Sequence, residues 1–381
     1  MYWRCHVFFI LLCSFPAVVW GTSLLPSRTD VDGWLKELGD NNQFDPALGI
    51  DWGIVPGPFY TPELGLGIGA AVAGIYRPDA SDKVSQNSTL SLSSYVSSTE
   101  AFGLALENRS FFSNDQWRIF TSAELDDTPT YYWGNGFTSA RKEGDKQKYT
   151  SQNFSLKPDV LYRIAPDVYF GLGWSLSSVH ATDIAQEKGS VNLQQQVGGV
   201  SVLSSGASMT LAYDTRDFVS DPQSGQLMEL RYTQYSPDFG SDTRFNQVES
   251  HYSSYYALNL KTVLAWEWYG QFTQGCPPWN MLPELGDSHR MRGYYQGRYR
   301  DRNVVSTQLE YRRQLDWRNG VVGWLGTGTM SPRPGELGKS SWLPSVGTGY
   351  RFEFKPRMNV RLDYGVGKGS SGFYFQVGEA F

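Results

Sequence analysis

The chain has 381 residues, 15% of them aromatic and only 19% charged, with 40 glycines and a formal charge of −5. That charge is too small to point to a nucleic-acid partner. A mean hydropathy of −0.40, with no run near the ~18 apolar residues of a spanning helix after the first twenty positions, excludes helical membrane spans.

Frequent aromatics and glycines with weak bulk hydrophobicity fit a transmembrane β-barrel, whose sequence signal is alternation. A periplasmic all-β protein is the rival. At the start, Arg4 and the apolar run Val7 to Val19 form a secretory signal, with a cut expected after Gly21. The run is shorter than the ~20 residues a spanning helix needs. Cys5 and Cys13 fall inside residues 1–21, so only Cys276 remains, which excludes an internal disulfide, a CxxC redox pair and a cysteine zinc site. Leu12 is too large for a lipid-attachment site at Cys13. Residues 22–46 are polar around one amphipathic patch, Val31 to Leu38, and are expected to be a short periplasmic tail.

From residue 47 to 381 strand signals follow one another. Leu48 to Tyr60 is a first strand interrupted by Gly and Pro, and Pro62-Glu63 is its turn before Leu64 to Tyr76. Gln116 to Leu125 is followed by Asp126-Asp127-Thr128-Pro129, which predicts a turn. Thr130 to Gly136 and Arg141 to Lys148 predict a long extracellular loop. The middle alternates most cleanly: Val168, Phe170, Leu172, Trp174 and Leu176 on one face, Tyr169, Gly171, Gly173 and Ser175 on the other. Met209, Leu211 and Tyr213 set Asp214 and Arg216 on the opposite face. Leu309 and Tyr311 oppose Gln308, Glu310 and Arg312, and Leu362 and Tyr364 oppose Arg361 and Asp363. Charge on one face of strand after strand implies a wet interior, where a soluble sandwich would be dry. About sixteen strands fit, an even number as in bacterial barrels. The expected fold is all-β: a single transmembrane antiparallel β-barrel, with long loops at one end and tight turns at the other.

Three stretches carry more than alternation. Met291-Arg292-Gly293-Tyr294 sits in a Gly-, Tyr- and Arg-rich segment that cannot be a lipid-facing strand, because each guanidinium would be costly there. Its plain reading is a solvated basic loop outside the membrane. Asp214-Thr215-Arg216-Asp217 followed by Pro222 and Gly225 is a turn flanked by charge. At the C-terminus, Phe373, Phe375, Val377 and Phe381 alternate and end on an aromatic residue.

Together these resemble the BamA/TamA-type outer-membrane barrels, also called bacterial surface antigen domains. Met-Arg-Gly-Tyr is similar to their hydrophobic-Arg-Gly-aromatic loop, Asp-x-Arg-Asp…Pro-x-x-Gly to a mid-barrel element, and the C-terminal spacing to their closing strand. The resemblance is firm over about Gly206 to Phe381 and diffuse before it. It implies that the loop folds into the lumen, that Arg292 meets Glu310 first and Asp363 second, with Gly293 reversing the chain and Tyr294 packing on the wall. It also implies that the closing strand is a signal to the barrel-assembly machinery. Two departures stand out. The family's assembly and translocation branches carry POTRA modules before the barrel, and residues 22–46 are too few for one. A lid acid usual in the strand after Arg312 is replaced by Trp324.

Catalysis has little support: His180, His251 and His289 are scattered, and no nucleophile triad or metal-ligand spacing appears, so no enzyme activity and no cofactor are expected. The resemblance implies insertion or translocation of protein or lipid at the outer membrane. The alternative is a passive pore or structural barrel. Expected partners are outer-membrane lipid, an exported protein or lipid as client, and the assembly machinery during biogenesis. At the closure, Pro56 and Pro58 remove backbone donors and Gly49, Gly53 and Gly57 supply little packing, so the first strand is expected to hold the last one weakly.

Overall fold

A computed structural model describes residues 49–185 and 191–381, with Gly33 and Lys36. The expected signal (1–21) and tail (22–46) lie outside the described residues. Alternating side chains produce β1 (Asp51–Thr61), β2 (Gly65–Tyr76), β3 (Ser88–Ser97), β4 (Phe102–Phe112), β5 (Trp117–Tyr132), β6 (Gln147–Ala165), β7 (Val168–Thr182) and β8 (Ser201–Asp214). They continue as β9 (Gly225–Tyr235), β10 (Phe245–Asn259) and β11 (Thr262–Gly275), then β14 (Asn303–Gln314), β15 (Asn319–Ser331), β16 (Leu343–Lys355), β17 (Met358–Gly367) and β18 (Ser370–Val377). These sixteen strands close into one antiparallel barrel in which β11 neighbours β14. The segment between them carries a two-residue ladder of its own, β12 (Glu284–Leu285) with β13 (Tyr299–Arg300).

The two faces of the wall differ as the period of two demands. Leu172, Met209, Leu211, Met228, Leu230, Leu325 and Val346 are exposed on the outside, while Glu267, Glu310, Arg351, Arg361 and Asp363 are buried on the inside. An apolar band of this kind is stable only against hydrocarbon, since burying apolar area from water is worth about 25 cal/mol per Å².

Loops at one end are long, residues 133–146, 183–200, 236–244, 276–302 and 332–342, with the short helix α1 (Gly136–Ala140) in the first. At the other end most connections are tight, but two are not: residues 77–87 and 215–224. The expected turn at Asp126 to Pro129 is corrected. β5 runs straight through it, because each acid finds a side-chain partner on β6: Asn153 donates to Asp126 on the luminal face at 2.9 Å and Gln152 to Asp127 on the outer face at 3.0 Å.

Closure is uneven. β1 and β18 share a single registered pair, Tyr60 with Phe373. Every other neighbouring wall pair has at least eight. Pro56 and Pro58 lack an N–H on the same edge of β1. Rings fill the space instead: a methyl placed on Gly57 would lie 2.3 Å from Phe375, and one on Gly53 2.3 Å from Phe354. Lys355 adds an ion pair to Asp51 at 2.8 Å.

Candidate functional site

After β11 the chain does not stay outside. Residues 276–302 turn into the lumen; Trp279 packs on β5 to β8, and Met291 to Tyr294 lie against β14 to β18. The chain reverses at Asp287 to Arg290, where the Asp287 N–H donates to the Arg290 carbonyl at 3.0 Å, and Met291 (φ +52°) and Gly293 (φ +102°) follow in the left-handed region. The loop backbone is held by the wall itself. Ser345 donates to the Arg292 carbonyl at 2.7 Å, Ser370 to the Gly293 carbonyl at 2.6 Å, and the Gly293 N–H donates to the Tyr374 hydroxyl at 2.8 Å. Tyr294 donates to the Pro344 carbonyl at 2.6 Å, accepts from the Lys368 N–H at 2.9 Å, and packs with Leu285, Met291, Tyr299 and Met330.

Arg292 is fully buried. One guanidinium nitrogen donates to Asp363 at 2.5 Å; the other donates to Glu310 and to Gln308 at 3.3 Å. Both carboxylates are themselves fully buried. The plane of the guanidinium lies over Trp324, 3.6 Å from the ring centroid. Position 324 therefore supplies an aromatic face where relatives are expected to supply an acid, and cation–π contact replaces a third charge.

Neither acid serves Arg292 alone. Asp363 also accepts from Arg351 at 2.5 Å and Arg361 at 3.1 Å, and Glu310 from Arg312 at 3.0 Å. Glu379 joins from the C-terminus, accepting from Arg351 at 2.8 Å and from Asn359 at 2.8 Å. Four arginines thus share three carboxylates in a dry cluster, where each charge-assisted bond is strong and each missing partner costly.

That last contact corrects the expected closing strand. Phe373, Phe375 and Val377 lie in β18, but the strand ends at Val377 and Phe381 is not part of it. Gly378 (φ +90°) turns the chain inward. Arg312 then donates to the Phe381 main-chain oxygen at 3.0 Å, with its guanidinium 5.0 Å from the Phe381 ring. The arginine cluster supplies partners that a lipid-facing strand end could not.

The mid-barrel element is folded as a unit at the tight-turn end. Asp214 accepts from Arg118 at 2.6 Å and Arg216 at 2.8 Å. Asp217 accepts from the Gln223 and Ser224 N–H groups at 2.9 and 3.1 Å, and Pro222 lies inside the loop so closed, just before Gly225 (φ +93°) opens β9. Its ion pairs go to Arg118, Arg216 and Arg357 and not to Arg292. Gln308 and Tyr374 were not legible as partners of the loop, nor Glu379 as a partner of Arg351; nothing in their local pattern sets them apart. Among the described residues, no group of three metal-ligating side chains occurs.

Glu63, in the turn between β1 and β2, faces the inward loop at its upper end. Burial pushes its carboxyl up to about 7, against partial relief from main-chain N–H groups, among them that of Gln296, and from the Thr61 hydroxyl. A folded value above the ordinary one means the folded state binds the extra proton. The contribution of Glu63 to stability is therefore fully present below about pH 4.5 and is lost as pH rises through about 7. Heat-unfolding midpoints in detergent should fall across that window, and Glu63→Gln should flatten the fall. An unchanged slope in the variant would refute this assignment.

A closed sixteen-strand barrel with an apolar belt, a charged lumen and a loop clamped inside defines an integral outer-membrane barrel. The Omp85 superfamily domain matches residues 82–381, and the chain belongs to that superfamily, whose barrels reside in the bacterial outer membrane. No curated protein sequence matches the chain significantly. Among solved structures it is similar to BamA from Haemophilus ducreyi lacking POTRA domains 1-3, at 14% identity and a TM-score of 0.52, covering 86% of this chain and 69% of that one. It is also similar to CdiB from Acinetobacter baumannii (14%, TM-score 0.54) and CdiB from Escherichia coli (12%, TM-score 0.55). These cover 86% and 88% of this chain, which spans 59% and 62% of theirs.

Proposed function

We propose that the barrel assists insertion or translocation of a protein or lipid client at the outer membrane, and that the client is admitted at the β1–β18 seam. The observation that carries this is the single registered pair at that seam against eight or more everywhere else in the wall. A closed ladder loses several hydrogen bonds on opening, each worth about 1 kcal/mol net, whereas this seam has few to lose. In this reading the long loops face outward and the tight-turn end faces the periplasm. The clamped loop carrying Arg292, Gly293 and Tyr294 keeps β14 to β18 rigid, with Glu310 and Asp363 as its anchors, so that movement is concentrated at β1. A cleaved signal at 1–21 and a periplasmic tail at 22–46 belong to the same proposal.

The test is a cysteine pair at Tyr60 and Phe373 in a Cys276→Ser background. These residues are directly opposed, which suits disulfide geometry. Oxidised cells should lose one defined exported protein or lipid species from the outer membrane, as cells depleted of the protein should, and reduction should restore it. If depletion alters permeability alone, and the lock has no effect, the barrel is a passive pore. A polar cavity of about 190 Å³ in the lumen, lined by Asp159, Glu229, Arg231 and Glu249, is what favours that second reading.

A further inference from the structure

Four of the five long connections converge on one pocket at the long-loop end. Residues 133–146, 183–200, 276–302 and 332–342 each contribute to its lining, and Met330 of β15 lines it from the wall. Its volume is about 510 Å³, within the range of about 300–1,000 Å³ usual for small-molecule sites. Val197 and Pro332 are exposed at its rim, so it opens to solvent, whereas Trp279 and Met330 are buried. It shares no lining residue with the Arg292 cluster.

Much of the lining is apolar. Trp279 turns its indole N–H away, to the Gly199 carbonyl at 2.9 Å, and so offers the pocket hydrocarbon alone. Phe137 and Met330 belong to the apolar cluster that packs Tyr294. A molecule in the pocket would therefore rest on the same side chains as the inward loop.

One charged group is out of keeping with these walls. Asp301 lines the pocket and is 6% exposed. Its Oδ1 accepts the Arg302 main-chain N–H at 2.8 Å. Its Oδ2 has no donor among the described residues. Gly136, which also lines the pocket, puts this oxygen on the pocket side: a methyl on it would stand 3.5 Å from Oδ2. Arg302 is a lining residue too, but its guanidinium donates to the Gly275 carbonyl at 2.9 Å and makes no ion pair with Asp301.

That oxygen decides between classes of ligand. An anion would meet the Asp301 charge at close range, and a purely apolar molecule would leave Oδ2 dry and unpaired, which is costly. An ammonium group brings three N–H donors and a charge, and charge-assisted bonds are about twice as strong as neutral ones. We propose that this pocket binds a small organic amine in its ammonium form. The ammonium sits on Asp301 Oδ2, and the hydrocarbon part lies against Phe137, Trp279 and Met330. Binding of this kind needs no client and does not depend on seam opening.

Isothermal titration of the purified full chain at neutral pH tests it, with phenethylamine and with phenethyl alcohol, a neutral molecule of the same shape. The amine should bind about ten-fold more tightly or better, since it alone gains a charge-assisted bond. Asp301→Asn keeps the shape, removes the charge and should erase that preference. Val197→Trp places a large ring at the exposed rim. It should abolish binding of both molecules while the folded band keeps the heat-modifiability of the wild type. Because a ligand of the folded state stabilises it, the amine should also raise the unfolding midpoint of the wild type and of neither variant. Failure of the amine to bind, equal affinity for amine and alcohol, or a preference that survives Asp301→Asn would overturn the ammonium site. Amine binding unchanged by Val197→Trp would overturn the pocket.

Discussion

Replacing Arg292 with Ala should destabilise the barrel by about 3–5 kcal/mol, the cost of leaving buried carboxylates without their partner. Arg292, Glu310 and Asp363 are all fully buried, away from bulk solvent. The two acids are not equivalent. Asp363 accepts from Arg292, Arg351 and Arg361, whereas Glu310 accepts from Arg292 and Arg312. Asp363→Ala takes a partner from three guanidinium groups and should cost more than Glu310→Ala, although Glu310 was expected as the first partner of Arg292 and Asp363 as the second. Because the three residues form one network, Arg292→Ala combined with Glu310→Ala should cost little more than either alone. Arg292→Lys should rescue only in part. A Lys ammonium is a point charge that cannot hold both acids in a fork while lying flat on Trp324. Heat-modifiability on gels, read as the temperature at which the folded band disappears, measures all five variants. Additive losses, or full rescue by Lys, would mean that the clamp does not act as a unit.

The barrel was legible because its signal is local. Val168 to Leu176 alternates without interruption, and a period of two can bury one face only in a sheet. Parity alone placed Glu310 and Asp363 on the inner wall, and the likeness of Met291 to Tyr294 to a known loop brought Arg292 to them. What escaped was either locally ambiguous or distant. Asp126 to Pro129 has turn chemistry, yet Asn153 and Gln152 on β6 supply partners to the two acids on opposite faces, so β5 continues. Phe381 continues the alternation of β18 in sequence, but Gly378 breaks the strand, and the arginines that draw Glu379 inward lie on β14 and β16. The connection 215–224 was read as an ordinary turn from Pro222 and Gly225. Its reach depends on Arg357, 140 positions from Asp217, and no window of sequence contains both.

Gly293 should prove nearly as sensitive as Arg292, for a reason of shape instead of charge. Its φ of +102° is one that L side chains rarely adopt, which costs about 1–3 kcal/mol for a residue forced to keep it. Space is the second obstacle. A methyl at Gly293 would stand 2.7 Å from three backbone atoms of β17, in Gly365, Val366 and Gly367. These belong to a strand laddered on both sides, to β16 and β18, so the wall cannot give way as a flexible side chain would. Overpacking of this kind adds about 1–3 kcal/mol. The loop is therefore expected to lift, taking Arg292 off Asp363 and exposing the run Arg298, Arg300 and Arg302. Trypsin, which should leave the folded wild type intact there, should cut Gly293→Ala within this run. Gly323→Ala is the matched control, because a methyl on that β15 residue meets nothing within 4 Å. It should keep both the heat stability and the protease resistance of the wild type. If the two alanine variants behaved alike, the close approach of loop and wall would not be what holds Arg292 in place.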